Sequence, residues 1–176
     1  MRKSGWYGES RRHSLASLGI ETGKKIPVMI PAKPIKQLEG QAPFWDNLWK
    51  QNKGVFYRGT SGTGTGLGFG VLGDGLYVTW DRGIARAFGE ISGKGRGFQV
   101  NRYRLPRDLK LMDYQGNECW EIRKNMGIQN RWDKIGDPMF SRIFTFEIKK
   151  RGYDGVISDN KADGIVVFDS TKVKRV

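Results

Sequence analysis

The chain has 176 residues, enough for one domain with its own core and an additional arm. With 38% hydrophobic and 12% aromatic residues it is too apolar to be a disordered chain, and no apolar run is long enough to cross a bilayer, so no membrane association is expected. The net charge of +13 points to a polyanionic partner, a nucleic acid or an acidic protein, although Lys and Arg are scattered, as on a basic solubilising surface, and form no single tract.

Residues 1–40 read as a basic N-terminal arm, and residues 41–176 as the domain proper. The opening MRKSGWYGESRRHS lacks an apolar h-region and does not read as a secretory signal. Trp6 and Tyr7 are candidates to anchor the arm, and Arg11, Arg12 and His13 to meet phosphate. This opening resembles the starts of archaeal and archaeal-virus proteins. With no secretory signal, a cytoplasmic location is expected, which for a viral chain means the host cytoplasm or the virion. A short helix is expected around Ser14–Leu18, while Pro27, Pro31 and Pro34 favour an extended path after it. The lone Cys119 excludes an intramolecular disulfide and points to a reducing compartment. With one histidine, a histidine-built metal site or a Cys-His dyad is not expected, and no metal is assigned.

From Ala42 the pattern tightens. Phe44, Trp45, Leu48 and Trp49 share one face of a predicted helix. GVFYRGT reads as a strand, and so does GLYVTW beyond a glycine-rich stretch. DRGIARAFGE predicts a helix capped by Asp81, with Ile84, Ala85 and Phe88 on one side. GFQVNRYRLP and LKLMDY follow as strands, and NECWEIRKNMGI as a helix. GDPMFSRIFTFEIKKRG can start helical after Pro138, but RIFTFEI is rich in strand formers and leaves both states open. YDGVIS and GIVVFD predict two buried strands around the polar turn DNKADG. Helices and strands in this order predict an α+β fold with a mostly antiparallel β core.

Gly68–Gly73, GFGVLG, matches G-x-G-x-x-G. A dinucleotide-binding turn needs a strand directly before it and a helix directly after it, and this one runs into a strand. Nor does a G-K-[S/T] end the stretch, so it is not a phosphate cradle. It reads instead as a loop beside a ligand cleft, weakly held from Ser61 to Gly70 because it offers few apolar side chains.

The flanks of this loop carry a resemblance. Tyr57-Arg58-Gly59-Thr60 is followed, after the variable stretch, by Gly73-Asp74-Gly75-Leu76-Tyr77-Val78-Thr79 and then by Ala85 and Phe88. The chain closes on GYDGVIS and GIVVFD. These pieces, in this order over roughly residues 54–176, resemble the ADP-ribosyltransferase superfamily. The resemblance implies a β core split into two sheets with flanking helices, NAD as substrate, and transfer of ADP-ribose to a nucleic acid or protein.

On that basis Tyr57, Arg58, Gly59, Thr60, Tyr77 and Thr79 are the candidate NAD-binding residues. An aromatic face of Tyr57 or Tyr77 suits the nicotinamide ring. The Gly59 backbone suits the carboxamide, and the Arg58 fork a phosphate or ribose. Thr60 and Thr79 suit the ribose or hold the strand pair. The plain alternatives are core aromatics, a surface arginine and ordinary strand threonines. Active members carry a glutamate where this chain has Gly164, and Asp163, one residue earlier, is the candidate catalytic carboxylate provided that the chain bulges there. Asp81, Glu90, Glu118 and Glu121 are the other acids within reach. Arg58 stands where one large branch of the superfamily has histidine, although GLYVT resembles that same branch. A catalytically inactive member that binds nucleic acid or serves as an assembly module is therefore the alternative.

Overall fold

A computed structural model describes residues 40–61, 68–94, 97–128 and 137–176. The arm expected over residues 1–40 lies outside the described residues except for Gly40, and so does the glycine stretch from 62 to 67.

The first helix, α1 (Trp45–Gln51), buries Trp45 and packs Leu48 and Trp49 against the core. Both indoles are tied down: Trp45 Nε1 donates to the Arg107 carbonyl at 2.9 Å, and Trp49 Nε1 to that of Leu105 at 2.8 Å. Next come β1 (Val55–Ser61), β2 (Gly68–Gly70), β3 (Gly73–Val78), α2 (Arg82–Gly93) and β4 (Phe98–Arg104). They are followed by β5 (Leu111–Asp113), α3 (Asn117–Asn125), α4 (Pro138–Lys150), β6 (Gly155–Ile157), β7 (Ile165–Val167) and β8 (Lys174–Arg175). A 3₁₀ turn, Ser170–Lys172, precedes β8.

The strands form two sheets, one in the order β1-β4-β8 and one in the order β2-β3-β7-β6-β5. Every pairing is antiparallel except β5 with β6. The expected α+β class with two sheets is what the described residues form. Alternation along the strands sorts the core. Leu76, Val78, Ile165 and Val167 pack with Phe56 and Tyr103 of the smaller sheet and with Trp45. Val156, Val166 and Met112, on the opposite face, pack with Ile122 of α3 and with Phe144 and Ile148 of α4. A strand buried on both faces needs a continuous apolar run, and IVV in β7 supplies one.

One reading that the sequence leaves open is decided here, and one expectation is corrected. RIFTFEI is helical throughout: Asp137 caps α4 by accepting the Met139 N–H, Pro138 opens it, and Phe144 and Ile148 enter the core one turn apart. Gly68–Gly70 is a strand that pairs with β3, so the weakly held loop expected over Ser61–Gly70 does not extend that far. Ala85 and Phe88 share one side of α2, as expected, Ala85 buried and Phe88 48% exposed. Helix α2 starts as expected, with Asp81 accepting from the Gly83 and Ile84 N–H groups.

Helix α2 lies directly on β1 at Gly59. A Cβ there would sit 1.7 Å from the Ala85 carbonyl oxygen and 2.5 Å from the Gly89 nitrogen, both backbone atoms. Gly59→Ala must push the helix off the strand. It should lower stability by about 1–3 kcal/mol, the usual cost of overpacking a tight contact. An unchanged urea midpoint would contradict this packing.

Candidate functional site

Among the described residues, the backbones of the two sheets pair at one place. The Tyr57 N–H donates to the Thr79 carbonyl at 2.7 Å, and the Thr79 N–H donates back to the Tyr57 carbonyl at 2.8 Å. Beyond this pair β1 and β3 part. Alternate residues of an extended strand turn their backbone groups the same way. The Gly59 N–H and C=O therefore face the same side as those of Tyr57, into the opening. On the far lip the Tyr77 carbonyl accepts from Arg58 Nη1 at 3.4 Å.

The opening is a cleft of about 420 Å³, the size of a small-molecule site. Tyr57, Arg58, Gly59, Tyr77, Thr79 and Asp163 all line it, and Phe88 and Ser92 line it from α2. Residues far apart in sequence thus meet. Thr60 does not join them. Its side chain is buried and its Oγ1 accepts from Asn101 Nδ2 at 3.3 Å, so it serves the β1–β4 pair.

Thr79 and Tyr77 also make structural bonds. The Thr79 Oγ1 donates to the Lys161 carbonyl at 2.9 Å and accepts from the Asp81 N–H at 3.2 Å, so it fastens the β6–β7 loop to the end of β3. The Tyr77 hydroxyl donates to the Gly73 carbonyl at 2.7 Å and accepts from the Leu72 N–H at 3.2 Å. That hydroxyl closes the β2–β3 hairpin, and burial pushes its pKa well above the ordinary tyrosine value. Gly68 and Gly70 have a physical use here. A Cβ on Gly70 would lie 2.6 Å from the Tyr77 hydroxyl, and one on Gly68 3.4 Å from its ring. Ser141 Oγ, donating to the Gly70 carbonyl at 3.2 Å, and Thr145 Oγ1, accepting from the Asp74 N–H at 2.7 Å, hold this lip from α4.

Arg58 is partly buried, and burial lowers its pKa, but a guanidinium stays charged. Among the candidate acids, Asp163 alone lines the cleft. Asp81 is held by Lys161 Nζ at 2.8 Å, and its pKa is lowered mainly by that bond. Glu90 pairs with Arg86, and Glu118 accepts from the Tyr153 hydroxyl. Cys119 is buried, and burial pushes its thiol up to about 12, which leaves it no nucleophilic part.

At Gly164 the structure replaces the expected strand bulge with a turn. Gly164 has φ +70°, and a Cβ there would lie 2.4 Å from the Val78 carbonyl oxygen, so no side chain fits at this position. Its N–H donates to the Asn160 carbonyl, and its own carbonyl accepts from the Ser158 N–H, which closes the loop ahead of β7. Ser158, fully buried, donates through Oγ to Asp163 Oδ2 at 3.3 Å and is itself bonded by Gln115 Nε2 and by the Asn160 N–H. Ser158, Phe88 and Ser92 join the site without having been among the candidates the sequence offers. Only the loop closure brings Ser158 to Asp163. Among the described residues no cluster of His, Cys, Asp and Glu could hold a metal, and no helix is long and apolar enough to cross a membrane.

Comparison with family models, with curated proteins and with solved structures gives no match.

Tyr77→Phe keeps the ring and removes both hydroxyl bonds. It should cost about 1–3 kcal/mol of stability, since two hydrogen bonds of about 0.5–1.5 kcal/mol each are lost. Denaturant unfolding checks this, and a variant as stable as the parent would show that the hydroxyl does not close the hairpin.

Proposed function

We propose that the cleft binds NAD and that the chain is an ADP-ribosyltransferase-type enzyme of α+β fold. It would pass ADP-ribose to a macromolecular acceptor. The observation that carries this reading is the meeting of Tyr57, Arg58, Gly59, Tyr77 and Asp163 around one opening between diverging strands.

Each residue then has a chemical part. A carboxamide is both donor and acceptor, and the Gly59 C=O and N–H, both turned into the opening, complement it. The Tyr57 and Tyr77 rings offer flat apolar surface to the nicotinamide. The Arg58 guanidinium faces the diphosphate or ribose, and a diphosphate there would offset the cost of burying that cation.

The reaction breaks the bond between ribose C1′ and the nicotinamide nitrogen. The bonding electron pair leaves with nicotinamide, which becomes neutral, and positive charge spreads over C1′ and the ring oxygen. The Asp163 carboxylate, oriented by the Ser158 hydroxyl, stabilises that charge. An acceptor hydroxyl or amine then forms its bond to C1′, and Asp163 takes the released proton.

A second reading is favoured by Gly164. No carboxylate can stand at the position that active members of the superfamily use, and Asp163 has a side chain one methylene shorter than glutamate. A chain that binds without cleaving, as a nucleic-acid-binding or assembly module on the same fold, follows from that feature.

NAD should raise the melting temperature by mass action. Arg58→Ala should weaken NAD binding about ten- to a hundredfold, the loss of a charge-assisted contact of about 1.5–3 kcal/mol. Asp163→Asn should leave NAD binding nearly intact and abolish nicotinamide release. A wild type that binds NAD yet releases no nicotinamide selects the second reading. No binding at millimolar NAD contradicts both roles given to Arg58 and Tyr77.

A further inference from the structure

We propose that the outer face of the smaller sheet, together with the groove it forms against α2, is a docking surface for single-stranded nucleic acid. The strand register sets out this face. Arg102 lies opposite Tyr57, and Arg104 lies between Val55 and Lys174, so their side chains share the face that Gly59 turns toward α2. Arg102, Arg104 and Lys174 are exposed, as are Arg82 and Arg86 on the adjoining helix. Arg82, Arg86, Phe98 and Val100 line a groove of about 490 Å³ where α2 meets β4. The acids on this side are already engaged: Glu90 accepts from Arg86 Nε at 2.9 Å, and Asp81 pairs with Lys161. Glu90 offsets Arg86, and Arg82, Arg102, Arg104 and Lys174 leave the face with a positive excess.

The side-chain chemistry favours phosphates and bases over an acidic protein. Arginine predominates among these cations, and its planar fork matches phosphate oxygens. Arg102 and Arg104 are two residues apart on one strand, about 6.7 Å, comparable to the step between successive phosphates of an extended strand. Between the cations lie Phe98, Val100 and Tyr57, all partly exposed. Flat apolar surface beside cations is what an unpaired base stacks on, and a duplex keeps its bases turned inward.

Tyr57 belongs both to this face and to the cleft. A strand laid on the face would therefore reach the cleft mouth. In this respect the inference rests on the proposed function and names its acceptor class, while the docking itself stands apart from NAD chemistry.

The test is fluorescence anisotropy with a labelled, mixed-sequence single-stranded oligonucleotide about 15 nucleotides long, titrated from about 50 to about 200 mM salt. Wild type should bind, with affinity falling steeply as salt rises. The double variant Arg102→Gln/Arg104→Gln should bind about tenfold more weakly, and its salt slope should fall by about 1.4, since each single-strand phosphate contact contributes about 0.7. Lys110→Gln/Lys150→Gln, an equal charge change at exposed sites elsewhere, should change affinity by less than about twofold.

Equal weakening by both double variants would overturn the proposal, because the attraction would then be diffuse. So would absence of binding at the lowest salt, or polyglutamate competing as well as unlabelled oligonucleotide. Circular dichroism guards against unfolding, and the NAD thermal shift of the Arg102→Gln/Arg104→Gln variant should match wild type. Oligonucleotide binding as described without any NAD shift in wild type supports the docking face and counts only against the enzyme reading.

Discussion

Two hydrogen bonds between Tyr57 and Thr79 decide where this molecule is open. They fasten the smaller sheet to the larger, and past them the strands diverge. Had β1 and β3 continued to pair, the backbone groups of Gly59 and Tyr77 would have met each other. The divergence turns them instead toward a shared opening. A sheet that splits at one pair exposes backbone donors and acceptors inside a protected cleft, where few competing groups surround them.

What keeps the split open is packing on both lips. On the β1 side α2 presses so close that only glycine fits at position 59. On the β3 side the Tyr77 hydroxyl and two hydroxyls of α4, from Ser141 and Thr145, hold the short hairpin. The loop ahead of β7 then delivers Asp163, with Thr79 fixing that loop from one end and Ser158 fixing the carboxylate from the other. Gly59 thus acts twice, through its backbone toward the cleft and through its missing side chain toward the helix. Charge follows the same geometry. Arg58 stands inside the cleft mouth, and the basic face of β4 and α2 begins one strand away, opposite Tyr57.

Much of this was legible in the sequence. The apolar stretches VFYRGT, GLYVTW and GIVVFD are strands because their alternation or continuous apolarity matches burial on one face or on two. Asp81 announced α2 through its capping chemistry. Of the candidate residues named from the sequence, Tyr57, Arg58, Gly59, Tyr77, Thr79 and Asp163 share one cleft and Thr60 does not. The remainder was hidden for physical reasons. RIFTFEI has strand-forming side chains, but a cap at Asp137 and core contacts one turn apart outweigh that propensity. The use of Gly68 and Gly70 appears only when Tyr77 lies against them. Ser158 gives no local signal, because its partner is five residues away across a turn whose closure depends on a positive φ at Gly164.

The account depends most on the Gly59 backbone being the partner of a bound amide. The direct measurement is the backbone amide resonance of Gly59 during titration of ¹⁵N-labelled protein with nicotinamide. The account predicts a saturable downfield proton shift at Gly59, with smaller changes at Arg58 and Tyr77, because a new hydrogen bond forms at that N–H. No shift at Gly59 up to millimolar nicotinamide, or shifts confined to residues outside the cleft, would contradict it.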